Sequence, residues 1–178
     1  MRLFVALELP EEVKDRLASL TGGLPGVRWV RPENYHLTLR FIGEVPGYMA
    51  DELDLALANI RAKPFELSLS GLGTFEKAGR VQSLHVVAER TPGLAHLQTK
   101  IETALQRAGL PAERKRFAPH VTLARTDGAA VSRLIGYLQT HNLFRSDPLM
   151  VERFVLFSSR LGKEQAVYTP EVEYALAA

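Results

Sequence analysis

The chain has 178 residues, 46% of them apolar and 24% charged, enough for a folded core and too balanced for a disordered or fibrous protein. No apolar run approaches the ~20 residues needed to cross a bilayer, and the absence of cysteine excludes a disulfide framework, thiolate metal sites and a thiol nucleophile. The net charge of +2 gives little pull on a polyanion by itself, but arginine heavily outnumbers lysine, and arginine's planar fork suits phosphate oxygens.

In chain order, Arg2 to Leu9 reads as a strand; it is too short, and too soon interrupted by Glu8, for a secretory signal. Pro10-Glu11-Glu12 opens a helix through Leu20, with proline at the first position and acids in the first turn, and Gly22-Gly23 ends it. Val27 to Val30 is a short strand and Tyr35 to Ile42 a longer one. Pro46 with Asp51, Glu52 and Asp54 suits a helix to about Arg61. Phe65 to Ser70 and Val81 to Ala88 read as a strand pair around a Gly71-Leu72-Gly73 turn. Pro92 starts a helix with Leu94, Leu97, Ile101, Ala104, Leu105 and Ala108 on one face, stopped at Gly109. A strand from His120 to Ala124, a helix from Ala129 to about Leu138, and strands Leu149 to Ser158 and Ala166 to Tyr174 complete the chain. No linker or low-complexity stretch divides it, so residues 1–178 are expected to form one α+β domain.

One local code occurs twice: Tyr35-His36-Leu37-Thr38-Leu39-Arg40 and Pro119-His120-Val121-Thr122-Leu123-Ala124. The histidines lie 84 positions apart (120 − 36), close to half the chain, so a duplicated unit with pseudo-two-fold packing would set the two strands side by side. Alternation places His36 and Thr38 on one strand face with Leu37 and Leu39 behind them, and His120 and Thr122 likewise before Val121 and Leu123. Two such matches arise by chance in roughly one chain in 200.

A pair of imidazoles with adjacent hydroxyls fits phosphoryl transfer. Cleaving a phosphodiester needs a base for the attacking water and an acid for the leaving oxygen, and histidine's ordinary pKa of about 6.5 allows one ring to be neutral and the other protonated. The threonine hydroxyls can donate to non-bridging phosphate oxygens. Neither motif contains a carboxylate, and two imidazoles are too few ligands for a catalytic zinc, so no metal or cofactor is expected. His85, His96 and His141 lack a hydroxyl two positions on and read as ordinary structural histidines. Phe4 or Phe41 could stack on a base, and Trp29 could serve either packing or binding. The basic run Arg114-Lys115-Arg116 could guide an RNA backbone, though such runs are commonly only solvated.

The sequence resembles the two-histidine phosphoesterase superfamily, and within it the bacterial and archaeal RNA 2′,3′-cyclic phosphodiesterases long called 2′-5′ RNA ligases. The likeness covers nearly the whole chain: RLFVALELP, ENYHLTLRFIGE, GLGTF, FAPHVTLAR and FVLFSS, with both H-Φ-T-Φ motifs intact. It implies a bilobal fold, two pseudo-symmetric antiparallel-sheet lobes with outer helices and a central cleft. It implies cofactor-free hydrolysis of RNA 2′,3′-cyclic phosphate ends to 2′-phosphomonoesters. The partners expected are RNA ends or nucleoside 2′,3′-cyclic phosphates and no membrane, with the chain a monomer, and a cytoplasmic location is expected from the lack of a secretory signal and of cysteine. By position, His36 resembles the general acid on the 3′ leaving oxygen and His120 the base that activates water. Thr38 and Thr122 match the phosphate-binding hydroxyls, and Arg125 matches an arginine that reaches the phosphate. The alternatives are a reversible 2′-5′ RNA ligase acting on tRNA halves with the same residues, and a module that binds RNA ends without turnover.

Overall fold

The computed structural model describes residues 1–177, and the side chains of all of these except 128–131 and 133. Ten strands and four helices follow one another as β1 (Arg2–Glu8), α1 (Glu11–Ala18), β2 (Arg28–Trp29), β3 (His36–Glu44), α2 (Gly47–Ala58), β4 (Phe65–Leu67), β5 (Leu69–Lys77), β6 (Arg80–Ala88), α3 (Pro92–Arg107), β7 (His120–Ala130), α4 (Val131–His141), β8 (Leu149–Val151), β9 (Arg153–Leu161) and β10 (Ala166–Ala175). A single 3₁₀ turn at Pro32–Asn34 leads into β3. None of the helices among the described residues is long and apolar enough to cross a membrane.

The fold is α+β, as expected, and its main sheet is antiparallel in the order β10-β9-β1-β3-β7-β6-β5, with β2 beside β7. The ladder runs continuously from one half of the chain to the other. Its narrowest join is one pair, Leu37 opposite Val121. These are equivalent residues of the two motifs, so an antiparallel pairing between them defines a local pseudo-two-fold relation between the halves. A separate two-stranded sheet joins β4 to β8.

The core lies on the sheet face away from the motif histidines. Leu3, Val5 and Leu7 of β1 bury there with Leu37 and Val121, under Leu53 and Leu57 of α2 and Leu94, Leu97, Ile101 and Leu105 of α3. Each fully buried leucine side chain contributes about 1.5–3 kcal/mol, which makes this face the main source of stability. Helix α3 begins where the Thr91 hydroxyl accepts a hydrogen bond from Leu94 N–H with Pro92 following it. Gly109 stops it at φ 112°, a conformation that favours glycine.

Two departures from simple alternation shape the other face. Along β3, Val5 pairs with Arg40 and Ala6 with Thr38, leaving Leu39 as an extra residue. Along β7, Leu84 pairs with Ala124 and His85 with Thr122, leaving Leu123 extra. Leu39 and Leu123 are again equivalent positions. Each bulge turns two consecutive residues inward and returns the next one to the motif face. Phe41 and Arg125 therefore emerge beside the histidines, while Arg40 and Ala124 are buried.

Three expectations for local structure differ. Gly71-Leu72-Gly73 lies inside β5, and the hairpin turns instead at Ala78-Gly79, between paired Lys77 and Arg80. Both turn residues have positive φ, 53° and 76°, which matches the twist of a two-residue hairpin. β7 runs on past Ala124 to Ala130, so the following helix starts later than expected. The strand expected from Leu149 to Ser158 is divided into β8 and β9, which belong to different sheets.

Candidate active site

The open face of the sheet holds a cleft of about 740 Å³. His36, Thr38, His120, Thr122 and Arg125 all line it, together with Phe41, Phe75 and Tyr168. The structure thus brings together all five residues singled out from the sequence. With Leu37 opposite Val121, the antiparallel register directs His36 toward the Thr122 side of the join and Thr38 toward the His120 side.

Backbone carbonyls fix the tautomer of each imidazole. His36 Nδ1–H donates to Asn34 O at 2.7 Å, and His120 Nδ1–H donates to Ala118 O at 2.6 Å. A carbonyl oxygen can only accept, so Nδ1 carries a proton in both rings and Nε2 is left as the nitrogen that gains or loses one. The two Nε2 atoms differ. That of His36 lies 2.9 Å from the Thr38 hydroxyl, which donates to the neutral ring. His120 has no such bond and is held by packing, with the Phe75 ring edge-on at 4.8 Å and the His85 ring at 4.9 Å.

Aromatic surroundings back His36 as well. Phe4 lies 4.9 Å from its ring and Tyr168 meets it edge-on at 5.2 Å. Phe4, Phe157 and Tyr168 form a small apolar cluster on this side of the sheet. Phe4 is therefore buried packing rather than a stacking surface, whereas Phe41 is 57% exposed and open to the cleft. Trp29 packs toward Tyr137, with ring centroids 5.8 Å apart, and also lines the cleft.

Burial disfavours the charged form of both rings. His36 is pushed down to about 4, chiefly by desolvation, opposed by its bond to Asn34 and assisted by the nearby cationic positions His120, Arg125 and Lys14. His120 is also lowered, by desolvation first and by Arg125, against its bond to Ala118. Arg125 is thus close enough to act electrostatically on both imidazoles. Among the described residues no group of three or more His, Cys, Asp or Glu side chains is arranged to hold a metal ion.

Sequence reasoning set His85 aside, yet it stands directly behind His120. Its ring is buried, lies 4.4 Å from Phe75, and is pushed down to about 4 by desolvation and then by His120. Its slot exists because residue 73 is glycine: a Cβ there would lie 2.6 Å from His85 Nε2. The signal in the sequence is the G-x-G of β5, which by composition reads as a turn. His96 lines a different groove, between α2 and α3, and His141 packs against Tyr137. Arg114, Lys115 and Arg116 are not among the residues lining the cleft.

The tip of the β9–β10 hairpin forms one wall of the cleft. Gln165 Nε2 donates to Trp29 O at 2.7 Å, Arg31 N–H donates to Gln165 Oε1 at 3.1 Å, and Asn34 Nδ2 donates to Ala166 O at 3.0 Å. An ion pair between Arg31 and Glu164 adds to these ties. They hold the last hairpin of the chain against the segment that leads into β3.

A family model described as LigT-like phosphoesterase matches residues 7–82 and 84–168, one motif in each segment. The RNA 2′,3′-cyclic phosphodiesterase of Thermotoga maritima is 30% identical over 176 residues, covering 94% of this chain and 91% of that protein. The protein of the same name from Geobacillus stearothermophilus is 35% identical over 128 residues, 68% of this chain, and the match spans only 41% of its length. Among solved structures, Escherichia coli LigT complexed with 3′-AMP superposes with a TM-score of 0.80 at 27% identity, covering 99% of this chain and 98% of that one.

Proposed function

Because the chain belongs to the LigT-like phosphoesterase family, we propose that it hydrolyses RNA 2′,3′-cyclic phosphate ends to 2′-phosphomonoesters, with His36 and His120 as acid and base and without a metal or cofactor. The observation that carries this reading is the matched pair of Nδ1-anchored imidazoles on one cleft, each followed two residues later by a hydroxyl. Both imidazoles come from one chain, one from each half, so residues 1–178 act as a single catalytic unit and a monomer suffices. A chain without cysteine suits the reducing cytoplasm.

The cyclic phosphate sits between the rings. His120 Nε2 takes a proton from water as the water oxygen bonds to phosphorus. The P–O3′ bond breaks, and Nε2–H of protonated His36 delivers its proton to O3′. The product carries a 2′-phosphate and a free 3′-hydroxyl. Burial favours the neutral state of both rings, and the negative charge of the bound phosphate restores the proton affinity that His36 needs as an acid. The Thr38 hydroxyl, which donates to neutral His36 Nε2, turns to a non-bridging oxygen once that nitrogen is protonated. Thr122 and Arg125 supply further donors to the same oxygens.

The test is incubation with each nucleoside 2′,3′-cyclic phosphate in EDTA, followed by identification of the product. Turnover to the 2′-phosphate is expected. Near-wild-type turnover by His36→Ala or His120→Ala would refute the assignment.

A further inference from the structure

The matched bulges make the two halves of the cleft alike in backbone and opposite in chemistry. At the position where the first half presents Phe41, the second presents Arg125, five residues beyond each histidine. One side of the cleft thus offers an exposed aromatic ring and the other a cation. The Arg125 side chain has neither a hydrogen bond nor an ion pair among the described residues.

Arg125 does not stand alone on its side. In the ladder it lies between Arg28 of β2 and Ser83 of β6, and all three line the cleft. Two arginines directly opposite each other across an antiparallel pair repel, and sheets avoid that arrangement unless something anionic answers it. Asp127 answers only one of them. Its carboxylate accepts from Arg28 Nε at 3.1 Å and from Arg28 Nη2 at 2.8 Å. That bidentate pair holds the guanidinium of Arg28 in place and leaves Nη1 uncommitted. The strand that carries Arg28 is itself secured, because Val30 N–H donates to Leu123 O at 2.8 Å and Trp29 O accepts from Gln165.

Resting on the hydrolysis reading above, we infer that Arg28, beside Arg125, forms a second phosphate subsite for the phosphodiester on the 5′ side of the terminal nucleotide. Arg125 serves the cyclic phosphate, and Arg28, directly opposite it on β2 along the edge of β7 that β3 also joins, takes the next phosphate of the same RNA strand. The cleft volume of about 740 Å³ is in the range of sites that enclose more than a single small group. The substrate class that follows is an oligonucleotide end, in preference to a free mononucleotide.

The subsite can be read without turnover, so its failure is separable from failure of the hydrolysis reading. Calorimetric affinities would be compared for adenosine 2′-phosphate and adenosine 2′,5′-bisphosphate, whose 5′-phosphate stands in for the linking diester. The wild-type chain should prefer the bisphosphate about tenfold at low salt, and the preference should shrink as salt rises. Removing Arg28 alone would leave Asp127 to repel the ligand, so the comparison is between Asp127→Asn and the double variant Arg28→Gln/Asp127→Asn. The single variant should keep the preference and the double variant should lose it to within about twofold, with the monophosphate affinity as the internal check on folding. Equal binding of the two nucleotides by the wild-type chain would overturn the proposal, and so would a preference that survives in the double variant.

Discussion

His36 Nε2 and the Thr38 hydroxyl lie 2.9 Å apart on one strand, whereas the Nε2 of His120 has no hydrogen-bond partner among the described residues. Two motifs of the same H-Φ-T-Φ pattern therefore differ: one nitrogen is engaged and the other is ready to accept. Thr38→Val should lower kcat on a 2′,3′-cyclic nucleotide by on the order of 10²-fold, since it removes a donor to the developing phosphate charge. Its alkaline limb should also move to higher pH, because the variant removes a hydrogen bond that favours neutral His36 over the protonated acid. Thr122→Val should lower kcat without that change. Full pH–rate profiles of both variants check this.

Binding of inorganic phosphate should draw protons from solution. His36 and His120 are both held below the ordinary histidine value by burial, and an anion between them reverses that. At pH 6, calorimetric titration in two buffers of different ionisation enthalpy should show net proton uptake. No dependence on buffer would contradict the mechanism.

The same shifts bear on stability. For His36, His85 and His120 the folded value lies below the unfolded value near 6.5, so the unfolded chain binds more protons as pH falls from 6.5 toward about 4. Their contribution is complete above pH 6.5 and is lost through that window. The melting temperature should fall by roughly 5 °C or more between pH 7.5 and 5, with added phosphate offsetting part of the loss. A melting temperature unchanged over this interval would show that the rings are not desolvated.

Gly73→Ala should cost activity out of proportion to its size. The new Cβ meets His85 Nε2 at 2.6 Å and drives that ring toward His120, so turnover should fall about tenfold or more. Adding His85→Ala should restore part of it, giving a coupling energy of about 0.5–3 kcal/mol in a double-mutant cycle. Additive effects would mean that His85 does not transmit the strain.

Behind the site, Arg40 is buried with its Nε donating to Glu102 at 2.6 Å, and Glu102 also accepts from Gln106 and from Glu113 N–H. Glu102→Ala strands a guanidinium in the core and should destabilise the chain by roughly 3 kcal/mol, measured by urea denaturation. A loss below about 1 kcal/mol would mean that the bonds Arg40 already donates to Phe41 O and Pro111 O are enough to hold it.

Alternation and spacing were enough to read β1, β3, α3 and the histidine–threonine faces, because each depends on short-range periodicity alone. The bulges were not legible. Leu39 and Leu123 look like ordinary inward residues, and strict alternation sends Phe41 and Arg125 to the core side. Only the pairing partners β1 and β6 reveal the extra residue. The place of His85 was hidden for a similar reason: it depends on a glycine twelve residues away across a hairpin. The Ala78-Gly79 turn lacks the Asn or Asp that would have announced it.

β1 lies between β3 and β9, so one edge of its buried apolar run finds its partner only in a strand made much later. As the chain leaves the ribosome, Leu3 to Leu7 can pair with β3 early but must wait for Leu156 and Phe157 before the other edge is covered. Between the making of β1 and the making of β9 the growing polypeptide thus carries an adhesive border that must be shielded from neighbouring nascent chains.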